Sequence, residues 1–317
     1  MIRRAIPRGR GLLALLAVFP GGSVAPAAAE DVLAAIAASA DDVKQTILVG
    51  PSGQVFEPDG AGTWTRRTEG GVAADVRGAV VAGTGLVVAG KSAPLYRRDG
   101  DRWTAMRLGE RGRTAIGTGP RAALAIGKLV FVWSGSTWKR VGRAPGTVTA
   151  LWAASETKVF AATDGGLLRL AGGAFSPLGA GTPAVVGFGG VTAWAVTADG
   201  AAFEVATRRI HRPTVGGQAI VVGLVTATTD SAWALGTTDA GPALARFHKG
   251  AWTEAVAPPI ASGDAPISIT ADRSGALLVV TRAGGVHVAG PDGRWDAGTR
   301  VDALPAVPAG PGPARGR

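Results

Sequence analysis

The sequence predicts an all-β protein of the β-propeller class, and two observations carry this prediction. An extended apolar run, a Gly-containing turn and a bulky residue recur in this order at intervals of 35 to 43 residues. The bulky residues that follow the turns are Trp64, Trp103, Trp138, Phe175, Ile210, Trp252 and Trp295. The intervening residues form short β-compatible runs punctuated by Asp-Gly and Gly-Gly. Self-similarity with a period near ~40 residues is typical of propellers and other repeat arrays.

The clearest unit covers residues 146–178. Residues 148–153, 159–163 and 167–170 are three apolar, β-compatible runs, and Phe175 opens a fourth. Polar or Gly-rich turns separate these runs. Four short strands joined by tight turns form the antiparallel sheet of one propeller blade.

Seven such units can be counted along the chain. Their approximate bounds are 31–70, 71–111, 112–144, 145–180, 181–217, 218–262 and 263–304. The first unit is ambiguous, because the Ala-rich residues 31–45 would also suit a helix with an Asp cap. Residues 32–39 nevertheless align with residues 148–155. We therefore predict seven four-stranded blades, with six blades and a partial one as the alternative, and no strand shared by the two ends is identifiable.

A large residue occupies one slot of the second strand in several units. Phe160, Trp194, Trp233 and Leu278 stand in this slot. Blades bury their faces against their neighbours, so a large residue at a fixed slot is expected to lie in the core between blades. Core packing is therefore the prediction for most of the nine Trp residues.

Residues 159–170, which read VFAATDGGLLRL, resemble the propeller repeat of sensor regions in bacterial two-component regulators. That repeat has an aromatic residue, a small or apolar pair, Thr, Asp, Gly-Gly, Leu and then an Arg-bearing strand. Residues 95–103 are similar to the end of a kelch-type blade, although the kelch Gly-Gly doublet is missing from its usual strand. The resemblance implies propeller architecture, and neither family supplies a catalytic residue.

The first 29 residues have the layout of a cleavable secretory signal. Four Arg precede an apolar run at residues 11–19, and Ala27, Ala28 and Ala29 precede a predicted cleavage site before Glu30. A frayed N-terminal helix of a cytosolic protein is the alternative. We predict a signal peptide at 1–29, a propeller at 30–304 and a disordered Pro/Gly/Ala-rich tail at 305–317.

Location follows from the same features. The chain contains no cysteine, so neither a disulfide nor a lipidated N-terminal Cys is expected. No stretch after the leader is long and apolar enough for a transmembrane helix. A periplasmic or extracellular monomer without an integral membrane segment is predicted.

The net charge of +10 overstates the charge of the exported part. The leader holds four Arg and no acid, which leaves +6 on the remaining residues, and no run of five like charges occurs. Nucleic-acid binding requires a concentrated basic patch. Nucleic acid is therefore not predicted as a partner.

Three motifs with possible chemistry are interpreted as structural. Residues 85–92 match the nucleotide-binding P-loop pattern, but their apolar middle indicates a strand and Pro94 opposes a following helix. Residues 117–119, Gly-Thr-Gly, lie in no strand–helix unit. The three histidines, at 211, 248 and 287, lack the spacing of a metal site. No cofactor, metal ion or catalytic residue is predicted.

Two tryptophans, Trp133 and Trp152, fall outside the repeat slots and are the candidate binding residues. Trp152 lies on the first strand of its unit, which lines the channel in the usual order of a propeller. An exposed Trp at a channel mouth would suit stacking on a sugar or on an apolar side chain of a partner. Core packing is the favoured interpretation, and binding is the alternative that these two positions leave open.

Together these features predict an exported, non-catalytic binding module. Loops that connect the blades at one face would recognise a protein, a peptide or a glycan. One alternative is a secreted lyase or hydrolase acting on polysaccharide, which would need a histidine beside a carboxylate at the channel mouth. Another is a protein of envelope assembly, which would present an exposed apolar patch.

Overall fold

The computed structural model describes residues 33–37, 42–58, 64–68, 72, 76–83, 85–90, 95–100, 102–109 and 112–301. The predicted signal peptide and the predicted tail lie outside this range. The described residues form thirty β-strands and one short 3-10 helix, Val43–Gln45. Among them, no helix has the length and apolar character that crossing a membrane requires.

The strands group, in chain order, into seven four-stranded antiparallel units, which we call sheets 1 to 7. Sheet 1 contains β1 (Ala35–Ala37), β2 (Ile47–Val49), β3 (Val55–Pro58) and β4 (Trp64–Thr68). Sheet 2 contains β5 (Val76–Ala82), β6 (Gly85–Gly90), β7 (Leu95–Asp99) and β8 (Arg102–Met106). Sheet 3 contains β9 (Thr114–Thr118), β10 (Ala123–Ile126), β11 (Leu129–Trp133) and β12 (Trp138–Arg143).

The second half of the chain repeats this order and adds one hairpin. Sheet 4 contains β13 (Val148–Ala153), β14 (Val159–Thr163), β15 (Gly166–Ala171) and β16 (Ala174–Pro177). Sheet 5 contains β17 (Val185–Gly189), β18 (Trp194–Thr197), β19 (Ala202–Glu204) and β20 (Arg209–His211), and the hairpin consists of β21 (Thr214–Val215) and β22 (Gln218–Ala219). Sheet 6 contains β23 (Val221–Ala227), β24 (Ser231–Thr238), β25 (Gly241–His248) and β26 (Ala251–Ala255). Sheet 7 contains β27 (Pro266–Ala271), β28 (Leu277–Thr281), β29 (Gly285–Ala289) and β30 (Thr299–Arg300).

The first strands of successive sheets contact one another and so form the inside of a ring. β1 contacts β5, β13 contacts β17, and β23 contacts β27. β9 and β13 even pair in parallel, which joins sheets 3 and 4 into one eight-stranded sheet. β27 also contacts β1, so the last described sheet returns to the first. The all-β propeller prediction is confirmed.

A backbone hydrogen bond recurs where the first strand of one sheet meets the preceding sheet. Val148 N donates to Gly127 O at 2.9 Å between sheets 3 and 4. Leu33 N donates in the same way to Arg282 O at 3.4 Å between sheets 1 and 7. Sheet 1 therefore meets sheet 7 as other neighbouring sheets meet, and each described sheet is built from strands that are consecutive in sequence.

The core consists of seven clusters of buried side chains, each lying between two neighbouring sheets. Trp194 packs toward sheet 6, Trp233 toward sheet 7 and Leu278 toward sheet 1. The repeated slot thus faces the next sheet each time, as the sequence predicts. Stacking of this kind lets each sheet bury a face that it could not bury alone.

The ambiguous first unit contains a strand rather than a long helix. Ala35–Ala37 pairs with Ile47–Val49, and only Val43–Gln45 is helical. All seven units lie within the bounds that the spacing predicts. The blade number of the complete chain, including the residues outside the description, stays a prediction.

Two glycine-containing motifs have structural roles. Gly85–Gly90 is a buried strand between β5 and β7, which agrees with the strand interpretation of the P-loop-like motif. Gly119 has a φ of +104°, and a Cβ there would lie 2.6 Å from Ala153 O. Glycine at this position therefore permits the close approach of sheets 3 and 4.

Candidate functional site

Two depressions lie on the same face of the ring. We call this the lower face, at which the first strand of each sheet turns into the second and the third into the fourth. The larger depression, of about 620 Å³, lies between sheets 7 and 1, and we call it the closure cleft. The smaller, of about 260 Å³, occupies the equivalent position between sheets 3 and 4.

The closure cleft is built from three connections. The loops β27–β28 and β29–β30 of sheet 7 form two sides, and the segment between β1 and β2 of sheet 1 forms the third. The side chains that give it polar character are Asp42, Lys44, Asp272, Ser274, Arg294 and Asp296. The cleft thus draws on residues from opposite ends of the described chain.

Asp272 lies in the wall of the closure cleft and is only 4 % exposed. Its Oδ2 accepts a hydrogen bond from Val43 N at 3.2 Å, which ties sheet 7 to sheet 1. Its Oδ1 accepts from Ser274 N (2.8 Å), Ser274 Oγ (2.6 Å) and Ala276 N (3.2 Å). Since donors surround both oxygens, this carboxylate has a structural role in ring closure.

The remaining polar groups lie at the rim of the cleft, where Asp296 Oδ1 accepts from Val288 N at 3.1 Å and from Gly298 N at 3.0 Å. The indole N–H of half-buried Trp295 donates to Val256 O at 2.8 Å, which fixes the ring at the rim. Lys44, Arg294 and Asp296 are exposed. An aromatic edge with two cations and a carboxylate suits a polar, charged ligand that also carries apolar groups.

The smaller depression contains Trp133, one of the two predicted binding residues. Trp133 is half-buried and meets Trp138 edge-on, with ring centroids 5.5 Å apart. Arg121, Glu156 and Thr157 line the same depression. The structure therefore places an accessible indole edge beside charged groups, as it does at Trp295.

Trp152, the other predicted binding residue, does not reach the surface. It is 1 % exposed, packs against Phe160 with ring centroids 5.6 Å apart, and donates from Nε1 to Gly190 O at 2.9 Å. Its side chain enters the core between sheets 4 and 5 rather than the channel. The expectation of an exposed ring is corrected here, and a stacking ligand would have to open this packing.

The three histidines lie apart. His211 ends β20 on sheet 5, His248 ends β25 on sheet 6, and His287 lies within β29 on sheet 7. They occupy three different sheets, and Glu204 lies 3.6 Å from His211 Nε2. No group of three or more His, Asp or Glu side chains in the described residues could hold a metal ion.

Burial controls the electrostatics of two of these histidines. Burial lowers the pKa of His211 below its ordinary value of 6.5, against the opposing effect of the Glu204 carboxylate. The ring lies within an aromatic cluster of Trp194, Phe247 and Trp252, at centroid distances of 5.2 to 6.0 Å. Burial likewise lowers the pKa of His287. Both rings are therefore favoured in their neutral form.

The recurring aspartates near turns bond to local groups. Thr197 Oγ1 donates to Asp199 at 2.5 Å, and this hydrogen bond, together with Arg212, lowers the pKa of Asp199. Asp272 bonds within its own turn as described above. Asp is common in turns because its short side chain can bond to nearby backbone groups in this way.

Comparison with known proteins supports the fold. The sequence matches no protein-family model and no curated protein. Among solved structures, YCF48 from Cyanidioschyzon merolae is similar with a TM-score of 0.59 and 18 % identity, covering 84 % of this chain and 98 % of that chain. A structure of YCF48 bound to a D1 peptide has a TM-score of 0.55 and 16 % identity, covering 80 % and 91 %.

A third similar structure comes from a two-component system. It is the extracellular domain of the hybrid two-component system BT4673 from B. thetaiotaomicron, with a TM-score of 0.51 and 12 % identity. The match covers 84 % of this chain and 39 % of that chain. At these identities the likeness shows the propeller fold and no family.

Proposed function

We propose that this protein is a binding module that recognises a peptide segment of another protein at the lower face. The observation that carries the proposal is the closure cleft, a depression of about 620 Å³ lined by loops of two sheets. Loops presented by a rigid ring are well suited to recognition, because the sheets fix their positions.

The chemistry of the cleft favours a peptide over a glycan or a metal ion. Lys44 and Arg294 can pair with carboxylates, while Asp296 can pair with a basic group or a backbone N–H. The Trp295 edge offers a surface for an apolar side chain. A propeller of the same fold has been solved with a peptide bound. A ligand that alternates charged and apolar groups fits this combination.

Binding, rather than catalysis, is supported by the arrangement of the titratable groups. The lyase or hydrolase alternative would need a histidine and a carboxylate together at the channel mouth. His211 and His287 lie on different sheets, and burial lowers the pKa of both, which favours their neutral forms. The Asp272 carboxylate already accepts four hydrogen bonds. No described contact brings an acid–base pair into the closure cleft.

A role in envelope assembly would call for a continuous exposed apolar surface. The exposed large hydrophobic side chains of the described residues are dispersed over sheets 2, 5 and 6, and they are Val81, Val186, Ile210, Val221 and Val256. Single exposed apolar side chains of this kind are common on soluble proteins. Recognition of a partner segment accounts for the surface better than assembly through an apolar patch.

The proposal includes export to the periplasm or the medium. The basic residues, the apolar run and the small residues at 1–29 support it, as does the absence of cysteine. N-terminal sequencing of the secreted protein checks this part of the proposal. A first residue at Glu30 is the expected result, and a retained Met1 would contradict it.

A thermal-shift screen against short peptides, glycans and divalent metal ions tests the proposed function. A ligand that binds only the folded state raises the melting temperature by mass action. We expect a shift with peptides that is lost when Lys44 and Arg294 are both replaced by Ala. The matched control replaces the exposed Arg169 and Arg209, on sheets 4 and 5, by Ala. A shift with glycans or metal ions alone, or a peptide shift that survives the cleft substitutions, would contradict the proposal.

A further inference from the structure

The positive charge of the chain is concentrated in one sector of the ring. Residues 95–143, which span β7 to β12, contain eleven Lys and Arg but only three Asp and Glu. This stretch therefore carries +8, whereas the leader carries +4 and the whole chain +10. The remainder of the protein is slightly acidic, so the ring is electrostatically one-sided.

The outer strand of sheet 2 forms one wall of this sector. Met106 packs on the core between sheets 2 and 3, so its side of β8 faces sheet 3. Arg102 lies four residues away on the same strand and therefore points to the same side. Arg102 is exposed.

The outer strand of sheet 3 forms the facing wall. Arg140 pairs with Phe131 and Arg143 with Leu129 across β11 and β12. Phe131 and Leu129 belong to the core between sheets 2 and 3, and paired residues of neighbouring strands share a face. Exposed Arg140 and Arg143 therefore border the same junction as Arg102.

Two more cations lie near the end of sheet 3 that is opposite the lower face, and two backbone hydrogen bonds fix their positions. Gly127 N donates to Arg113 O at 2.7 Å, and Ala144 N donates to Lys128 O at 2.8 Å. Exposed Arg113 and Lys128 thus stand beside the end of β12. We call the exposed cations of this junction the basic seam: Arg102, Arg113, Lys128, Arg140 and Arg143.

Acidic side chains accompany the cations at the junctions on either side of the seam. Between sheets 1 and 2, Arg98 donates to Glu57 at 2.6 Å. Between sheets 3 and 4, Lys139 donates to Glu156 at 2.5 Å. The basic seam lies between these two junctions.

The floor of the seam is apolar. Met106, Leu108 and Trp138 pack on the core beneath it and remain half-exposed. Four of its five cations are arginines, whose guanidinium groups bind carboxylates through two parallel hydrogen bonds. A pure polyanion would use the rim and leave the floor uncovered, whereas an acidic segment with apolar side chains would use both.

We infer that the basic seam is a second docking surface, which binds an acidic polypeptide segment that also carries apolar side chains. The segment lies along the junction of sheets 2 and 3, with its carboxylates on the arginine rim and its apolar groups over Met106 and Trp138. This surface is on the circumference of the ring and is separate from the closure cleft. The inference therefore stands independently of the proposed function.

Fluorescence anisotropy with a labelled peptide of Asp, Glu and two Leu tests the inference on the whole protein. Replacing both Arg102 and Arg140 by Glu should weaken binding by about tenfold or more and reduce its salt dependence. The control replaces Arg169 and Arg209 by Glu, which changes the net charge equally on sheets 4 and 5. This control should change the affinity by less than about threefold. Thermal melting of both variants verifies that they fold.

Further probes identify the class of ligand. A peptide of equal charge without leucine should bind at least about threefold more weakly, because it leaves the apolar floor uncovered. Equal binding of the two peptides, or equal loss in the seam and control variants, would overturn the inference. Tighter seam-dependent binding of a single-stranded oligonucleotide or of phosphatidylserine vesicles would also overturn it, since the ligand would then not be a polypeptide.

Discussion

Asp272 offers the sharpest test of how the ring closes. Its carboxylate joins sheet 7 to sheet 1 through Val43 N at 3.2 Å and also accepts from Ala276 N at 3.2 Å. Ala276 N also donates to Ser274 Oγ at 3.3 Å and keeps this partner when the carboxylate is removed. Val43 is 1 % exposed, so its N–H loses its acceptor in a buried position. The substitution Asp272→Ala therefore leaves one buried donor unpaired.

The expected loss follows from the Val43 donor. A buried donor without a partner costs about 1–3 kcal/mol. Relief from burying the carboxylate offsets part of this cost. The donors of Ser274 do not add to it, because Ser274 is exposed. We expect Asp272→Ala to lower the free energy of unfolding by about 1–2 kcal/mol.

Urea denaturation followed by circular dichroism measures this loss from the midpoint and the slope of the transition. Asp292→Ala is the matched control, because Asp292 lies in the neighbouring loop, is 62 % exposed at its side chain and accepts only from Arg294 among the hydrogen bonds described. It should change the free energy of unfolding by no more than about 0.5 kcal/mol. Hydrogen exchange should also be faster at the Val43 amide in Asp272→Ala. Equal, small losses in the two variants would refute the assignment of Asp272 to ring closure.

Three further predictions concern packing and pH. Gly189→Ala should lower the free energy of unfolding by about 1–3 kcal/mol, because the added Cβ would meet a backbone carbonyl of sheet 6. Gly187→Ala is the control and should cause no such loss, because a Cβ there has no neighbour within 4 Å. The midpoints of urea denaturation compare the two variants. Trp152→Ala should cost about 3–5 kcal/mol in the same assay, and a loss no larger than that of half-exposed Trp133→Ala would contradict the core placement. Burial lowers the pKa of His211 below 6.5, so the unfolded state takes up the proton first as the pH falls. The free energy of unfolding that His211 contributes above pH 6.5 is therefore lost as the pH falls. Between about pH 7.5 and 5.5, the free energy of unfolding of His211→Gln should fall less steeply than that of the unchanged protein.

The period of the sequence predicted most of the architecture correctly. Each of the seven spaced units contains a four-stranded sheet, and the first unit begins with the strand Ala35–Ala37 rather than a long helix. The slot of Trp194, Trp233 and Leu278 faces the neighbouring sheet. These features depend on local alternation and turn chemistry, which the order of residues specifies directly. The hairpin Thr214–Ala219 was missed, because its two-residue strands lack an apolar pattern.

The candidate sites were harder to predict. Trp152 was considered as a channel residue, but its strand directs the ring between sheets, where a bond to Gly190 O holds it. The closure cleft joins Lys44 to Arg294, residues that are 250 positions apart and become neighbours only when the ring closes. The basic seam was not predicted from the sequence, because its cations are dispersed along residues 102–143 and form no run of like charge.

The sequence by itself determined the class of fold, the spacing of the repeating units and most of the residues that pack between them. Local patterns suffice for these properties, since each strand needs only its own alternation and each turn its own glycine. The tertiary structure alone decided which side chains meet at the closure cleft, which indoles stay accessible and where charge accumulates. Those properties depend on the register between strands and on the packing of sheet against sheet, and such contacts join residues that are distant in the chain.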